Sequence, residues 1–141
     1  NMHKKILSRI DERHRGRLHL SGYTKTPEHY MVAADVLCLP SYREGFGVVI
    51  IEAAAVGIPA IASRIYGITD ALEENVTGLL FEVGKISDLA DKMSRLTSDK
   101  SLRCNLGKEA ALRARTDFDQ KAVVAAMVEY YERLVADTAN K

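Results

Sequence analysis

Short apolar runs alternate with segments of helical period between His19 and Val83, which is typical of parallel strands joined by crossover helices. Strands are predicted over 18–22, 36–39, 58–63 and 78–83. The run over 36–39 is continuously apolar, as expected of a strand covered on both faces. Helices are predicted over 26–34 and 48–56. The pattern therefore predicts an α/β fold with a parallel sheet and flanking helices.

The last third of the chain carries helical period only. Asp119 is placed to cap the final helix, whose apolar residues follow i, i+3, i+4, i+7 spacing. They are Val124, Met127, Val128, Tyr131, Leu134 and Val135. Such a face must dock on another surface. A further helix is predicted over 3–15, and because no linker or repeat interrupts the sequence, we expect residues 1–141 to form a single domain.

The composition narrows the class of protein. The chain has 141 residues, is 47% hydrophobic and has a net charge of +1, which fits one globular domain and argues against a dedicated duplex nucleic-acid binder. No apolar run approaches the 18 or so residues needed to cross a bilayer. Cys38 and Cys104 lack C-x-x-C spacing and predict reduced, buried thiols in a cytoplasmic protein.

The densest candidate chemistry lies where the strand over 36–39 gives way to the helix over 48–56. Open α/β sheets bind ligands at this edge. Gly45 and Gly47 allow backbone to approach a ligand closely, and the amides after Phe46 lie at the positive end of the helix dipole. The segment predicts an anion site, although a plain tight turn explains a Gly-x-Gly equally well.

Glu52 is the only charged residue between Gly47 and Gly57. A carboxylate buried there without partners would cost several kcal/mol, so it needs hydroxyl or amide donors. About one and a half turns into the helix, it could accept from vicinal ribose hydroxyls of a ligand whose phosphates rest on the helix tip. The alternative is pairing with an internal amide or with an arginine such as Arg64.

Glu44 lies in the loop eight residues before Glu52 and is free to point into a cleft. Alone, it would be interpreted as a solvated loop charge. With the helix tip beside it, the loop offers a carboxylate for sugar hydroxyls, backbone donors for a diphosphate and a second carboxylate for a ribose. The ligand these groups suit together is a nucleotide sugar.

These residues carry a family resemblance. The segment 44–53 resembles the E-x7-E signature of glycosyltransferase family 4, a group of retaining transferases with the GT-B fold. Ala34-Asp35-Val36 to Pro40-Ser41 and the strand at 57–63 resemble the flanking motifs of that family, and 75–80 resembles its Gly-Leu-Leu turn and strand. Tyr66-Gly67-Ile68 departs from the usual Gly-Gly-Ile/Pro.

The resemblance implies a Rossmann-like parallel sheet that forms the C-terminal, donor-binding lobe of a GT-B fold and lacks its first strands. Residues 1–141 would be a fragment, with the N-terminal acceptor lobe and the diphosphate-clamping Arg and Lys pair absent. The resemblance also assigns roles to individual residues. Glu44 would contact hexose hydroxyls as the catalytic carboxylate, Gly45, Phe46, Gly47 and Val48 would hold the donor through their backbone, Glu52 would bind the ribose, and Gly22 and Tyr23 would lie by the base.

The implied activity is transfer of a hexose from a nucleoside diphosphate sugar to an acceptor hydroxyl, with no cofactor and no metal. The isolated fragment is expected to be inactive. Two alternatives stay open: another GT-B nucleotide-sugar enzyme such as an epimerase, and a non-catalytic nucleotide-binding module. A dinucleotide oxidoreductase is disfavoured because G-x-G-x-x-G is absent at 45–50, where position 50 is Ile.

Partners beyond the donor follow from the same interpretation. Without the first strands a sheet edge is exposed, and this edge or the C-terminal helix is expected to support self-association. The opening segment is basic and could contact a membrane surface peripherally in the intact enzyme, but Asp11 and Glu12 interrupt it and favour a solvated helix face.

Overall fold

The computed structural model describes residues 2–139. Its helices are α1 (Met2–Leu7), α2 (Glu12–Arg15), α3 (Pro27–Val32), α4 (Val48–Ala55), α5 (Ile68–Ala71), α6 (Ile86–Ser98), α7 (Lys100–Asp117) and α8 (Gln120–Ala139). Its strands are β1 (Leu37–Leu39), β2 (Ala60–Ser63) and β3 (Gly78–Phe81). Of the helices in this described part, none is long and apolar enough to cross a membrane.

The three strands form one parallel sheet in the order β1-β2-β3. Leu37 pairs with Ala60, and Ala60 pairs with Gly78, so the carboxyl ends of all three strands lie at one edge. Every residue of β2 and β3 is buried, as expected for strands covered by helices on both faces. The α/β fold with a parallel sheet is confirmed, with each of these strands one to two residues shorter at its ends than predicted.

The predicted strand over 18–22 is wrong. This segment is irregular, and His19 to Tyr23 are all exposed. Within the described residues β1 is hydrogen-bonded to β2 alone, so the segment has no neighbouring strand. A strand needs a partner for its backbone groups, and alternating apolar residues alone cannot supply one.

The core has two halves, one on each face of the sheet. Ile50, Ala60, Ala62, Ile68, Ala71, Leu72 and Leu80 pack between the sheet and helices α4 and α5. Ile61, Leu79, Phe81, Leu96 and Leu106 pack between the opposite face and helices α6 and α7. A Cβ added to Gly107 of α7 would lie 2.2 Å from the carbonyl oxygen of Gly57, so α7 contacts the turn after α4 directly.

Three smaller expectations have different outcomes. Asp119 caps α8 as predicted, since its Oδ1 accepts from the backbone N–H of Lys121 at 2.9 Å. The helix predicted over 3–15 is interrupted between α1 and α2, where the Asp11 side chain accepts from the backbone N–H of Arg13. The prediction of buried thiols is wrong, because Cys38 and Cys104 are both exposed. Cys38 lies on β1, which is an edge strand among the described residues.

Helix α8 keeps its apolar residues at the surface. The residues of the predicted stripe, from Val124 to Val135, are each 44% exposed or more. The predicted docking of this face therefore has no counterpart within residues 2–139.

Candidate functional site

The site is built on the loop from Pro40 to Gly47, which connects the carboxyl end of β1 to the first residue of α4. Gly47 precedes the helix with φ +69, a left-handed conformation that disfavours other residues. A Cβ at this position would also lie 3.3 Å from Cδ1 of Ile50 and 3.5 Å from Cγ1 of Ile68. Glycine is therefore strongly favoured where the loop turns into α4.

The amino terminus of α4 presents backbone donors at this edge of the sheet. The N–H of Ile50 donates to the carbonyl oxygen of Gly47 at 2.8 Å, so the amides of Val48 and Val49 precede the first hydrogen bond of the helix. Such amides, together with the positive end of the helix dipole, favour an anion. The amides of Val48 and Val49 are therefore free of helical hydrogen bonds at the edge of the sheet where the carboxyl ends of the strands lie.

Glu44 is half-buried and oriented by a neighbour. The Ser41 hydroxyl donates to its Oε1 at 2.7 Å. Glu44 also lines a cavity of about 530 Å³ between the β1–α4 loop and the loop that precedes α5. The solvated-charge alternative does not describe a half-buried carboxylate held by a hydroxyl. Sequence reasoning missed Ser41.

Glu52 is exposed on α4 and makes no hydrogen bond or ion pair to another described residue. Pairing with Arg64, the alternative from the sequence, is wrong. Arg64 instead forms an ion pair with Glu74 and donates to Oε1 of Glu82 at 3.0 Å. The Glu74 hydrogen bond raises the pKa of the Arg64 guanidinium. The Glu52 carboxylate is therefore open to a ligand, and its residue lies about 6 Å along the helix axis from Val48, the first residue of α4.

Two loops lie in direct backbone contact beside Glu44. Gly67, the residue before α5, has φ +86. A Cβ on it would lie 2.4 Å from the carbonyl oxygen of Gly45 and 2.9 Å from that of Glu44. The β1–α4 loop is therefore supported by the β2–α5 loop over a distance that only a glycine permits.

A contact from the carboxyl end of α7 supports the same loop. The Phe46 and Phe118 rings meet edge to face, with centroids 5.7 Å apart. The Arg113 guanidinium lies 5.2 Å from the centroid of Phe118 and donates to the carbonyl oxygen of Asp70 at 2.8 Å. Sequence analysis missed this group, because residues so far apart in the chain leave no local signal.

Gly22 and Tyr23 are not brought to the loop by any hydrogen bond or ring contact among the described residues. Both are exposed in the irregular segment before α3, Gly22 with φ +68 and Tyr23 at 90% exposure. Their role beside the base stays a prediction. No group of three or more His, Cys, Asp or Glu within residues 2–139 has the spacing of a metal site.

Comparison with known proteins identifies the family. The model of the family described as glycosyl transferases group 1 matches residues 2–113. The chain belongs to the group 1 glycosyl transferases. This member is 39% identical over 103 residues to D-inositol 3-phosphate glycosyltransferase from Arthrobacter sp. (strain FB24), covering 73% of the chain and 24% of that relative.

Solved structures agree with the assignment to the group 1 glycosyl transferases. Sucrose-phosphate synthase from Thermosynechococcus elongatus superposes with a TM-score of 0.84 at 31% identity, covering 96% of this chain and 35% of that one. A TarM mutant of S. aureus, in complex with fondaparinux, alpha-GlcNAc-glycerol and UDP, superposes with a TM-score of 0.81 at 28% identity. The match covers 92% of this chain and 27% of that one. The chain thus spans about a quarter to a third of these relatives, and its α/β fold matches GT-B glycosyltransferases.

Proposed function

We propose that the chain is the donor-binding lobe of a retaining glycosyltransferase that moves a hexose from a nucleoside diphosphate sugar to an acceptor hydroxyl. The observation that carries the proposal is the Glu52 carboxylate, which is exposed and has no partner among the described residues on an otherwise apolar helix. That helix begins at the loop that holds Glu44. The complex of the TarM relative with UDP supports a nucleotide ligand.

In the proposed complex each group meets the part of the donor that suits its charge. The backbone of Gly45, Phe46, Gly47 and Val48 and the dipole of α4 hold the diphosphate and the adjoining sugar oxygens. Glu52 accepts hydrogen bonds from ribose hydroxyls. Gly22 and Tyr23 lie beside the base. The amides and the helix dipole stabilise the leaving diphosphate, so we propose that no metal is required.

Glu44 is the proposed catalytic residue. Ser41 occupies one of its oxygens, which fixes the carboxylate, and the cavity beside it leaves space for the hexose. Hydrogen bonds from hexose hydroxyls to an oriented carboxylate align the anomeric carbon with the departing diphosphate. The β1–α4 loop can orient Glu44 in this way because the β2–α5 loop holds it in place.

The chain spans only part of the length of its relatives, which supports separate donor-binding and acceptor-binding parts. Because the chain spans 24% of the D-inositol 3-phosphate glycosyltransferase relative, we propose that it supplies donor binding and that acceptor binding needs further protein. The 141-residue chain is then expected to bind donor without transferring the sugar.

A panel of ligands in a thermal unfolding assay tests the proposed function. We expect UDP or GDP, and the matching sugar nucleotide, to raise Tm by several degrees at about 100 times Kd, because a ligand at that concentration adds about 2.7 kcal/mol. Uridine, guanosine and NAD are expected to leave Tm unchanged, since they lack a terminal diphosphate or the matching sugar. An equal shift with NAD, or no shift with any diphosphate, would contradict the proposal.

A further inference from the structure

The cavity beside Glu44 has an aromatic rim that the proposed roles leave unused. Its lining residues are Tyr42, Arg43, Glu44, Gly45, Ile65 and Tyr66. Tyr66 is 86% exposed and Tyr42 is 79% exposed. Large aromatic side chains left almost entirely in solvent at the mouth of a cavity offer apolar area to a ligand.

The backbone of Tyr66 is held in place beside Glu44. The next residue, Gly67, lies against the carbonyl oxygens of Glu44 and Gly45 with no space for a side chain. On the other side, the N–H of Ile65 donates to the carbonyl oxygen of Ser63 at 2.9 Å. Tyr66 therefore lies at the edge of the cavity on a short turn whose distance to the Glu44 loop is fixed. Its side-chain torsions can then adjust on binding without movement of the backbone.

The two side-chain types in this cavity suit one ligand class. A pyranose ring has an apolar C–H face and a rim of hydroxyls, a tyrosine has an apolar face and a polar tip, and a carboxylate accepts from hydroxyls. A cavity that combines exposed tyrosines with a carboxylate fixed by Ser41 therefore suits a sugar better than a flat hydrocarbon or an isolated anion.

We propose that Tyr66 is a specificity-determining residue that stacks on the pyranose ring of the donor, while Glu44 receives hydroxyls of the same ring. The inference rests on the proposed function and assigns the hexose end of the donor to the cavity at 42–45 and 65–66. Tyr42 lines the same cavity. Tyr66 then contributes to binding of the sugar nucleotide and contributes nothing to binding of the nucleoside diphosphate alone.

Calorimetric titration of the full chain tests the assignment. The ligands are UDP with UDP-glucose, and GDP with GDP-mannose, and the pair that binds more tightly is used. In Tyr66→Ala, we expect affinity for the sugar nucleotide to fall about fivefold, the loss of one aromatic contact, with affinity for the diphosphate unchanged. Tyr66→Phe retains the ring and is expected to bind as the unaltered chain does. Tyr130→Ala, an exposed tyrosine of α8, is the matched control.

The outcomes separate the two proposals. If the unaltered chain binds a diphosphate but Tyr66→Ala changes neither affinity, or lowers both equally, the Tyr66 assignment is overturned while the proposed function stands. If Tyr66→Phe loses as much affinity for the sugar nucleotide as Tyr66→Ala does, ring stacking is overturned as the cause of the loss. If the unaltered chain binds no diphosphate and no sugar nucleotide, the proposed function and the Tyr66 assignment both fail.

Discussion

The substitution Glu52→Gln is expected to weaken binding of the nucleoside diphosphate about tenfold or more. A hydrogen bond to a charged acceptor contributes about 1.5–3 kcal/mol, and the amide keeps the shape of the side chain without its charge. Since Glu52 is exposed and makes no bond to another described residue, the free energy of unfolding should change by less than about 0.5 kcal/mol. Calorimetric titration gives the affinity, and chemical denaturation gives the stability.

A ligand lacking the ribose hydroxyls makes this test specific. In the unaltered chain, 2′,3′-dideoxy-UDP should bind about as weakly as UDP binds to Glu52→Gln, and combining both changes should cause no further loss. Glu109→Gln, at an exposed glutamate of α7, is the matched control and should bind UDP normally. Additive losses in the double change would show that Glu52 does not contact the ribose.

The substitution Gly67→Ala is expected to lower the free energy of unfolding by about 3 kcal/mol or more. The added Cβ would lie 2.4 Å from the carbonyl oxygen of Gly45, and neither backbone can move without separating the two loops of the site. The left-handed φ of +86 adds conformational strain. We also expect loss of donor binding, because the Glu44 loop loses its support. Urea denaturation measures the first effect.

Gly84→Ala supplies the comparison for this prediction. Gly84 has φ +80, close to that of Gly67, but no atom lies within 4 Å of the position that its Cβ would occupy. Gly84→Ala should therefore lower the free energy of unfolding only by the conformational strain, about 1 kcal/mol. Equal destabilisation by the two alanines would mean that contact between the loops contributes nothing.

The strands that form the sheet could be predicted from their apolar runs. The prediction failed for the segment that has no neighbouring strand. The apolar runs at 36–39, 58–63 and 78–83 became β1, β2 and β3, because burial on both faces favours strands of that composition. The segment 18–22 alternates apolar and polar residues and has no strand beside it within the described residues. Cys38 on β1 is exposed because an apolar strand predicts burial only where both faces of the strand are covered.

In the candidate site, the residues close together in sequence could be predicted, whereas the contacts between distant residues could not. Glu44, Gly47 and Glu52 lie within nine residues, in one loop and the helix that follows it. Their relative positions follow from local helix geometry, so the sequence was enough to propose an anion site with flanking carboxylates. The fit of Gly67 against Gly45 and the edge-to-face contact of Phe46 with Phe118 depend on how β2 and α7 pack. No periodicity in the sequence encodes those contacts.

The most direct test of donor binding is an NMR titration of the ¹⁵N-labelled chain with UDP and GDP. We predict that the tighter ligand shifts the amides of Phe46, Gly47 and Val48 most strongly and saturably, with smaller shifts around Glu52 and Glu44. Saturable shifts confined to the cavity under α3, which is lined by Tyr30, Met31 and Leu37, or no shifts at millimolar ligand, would contradict it.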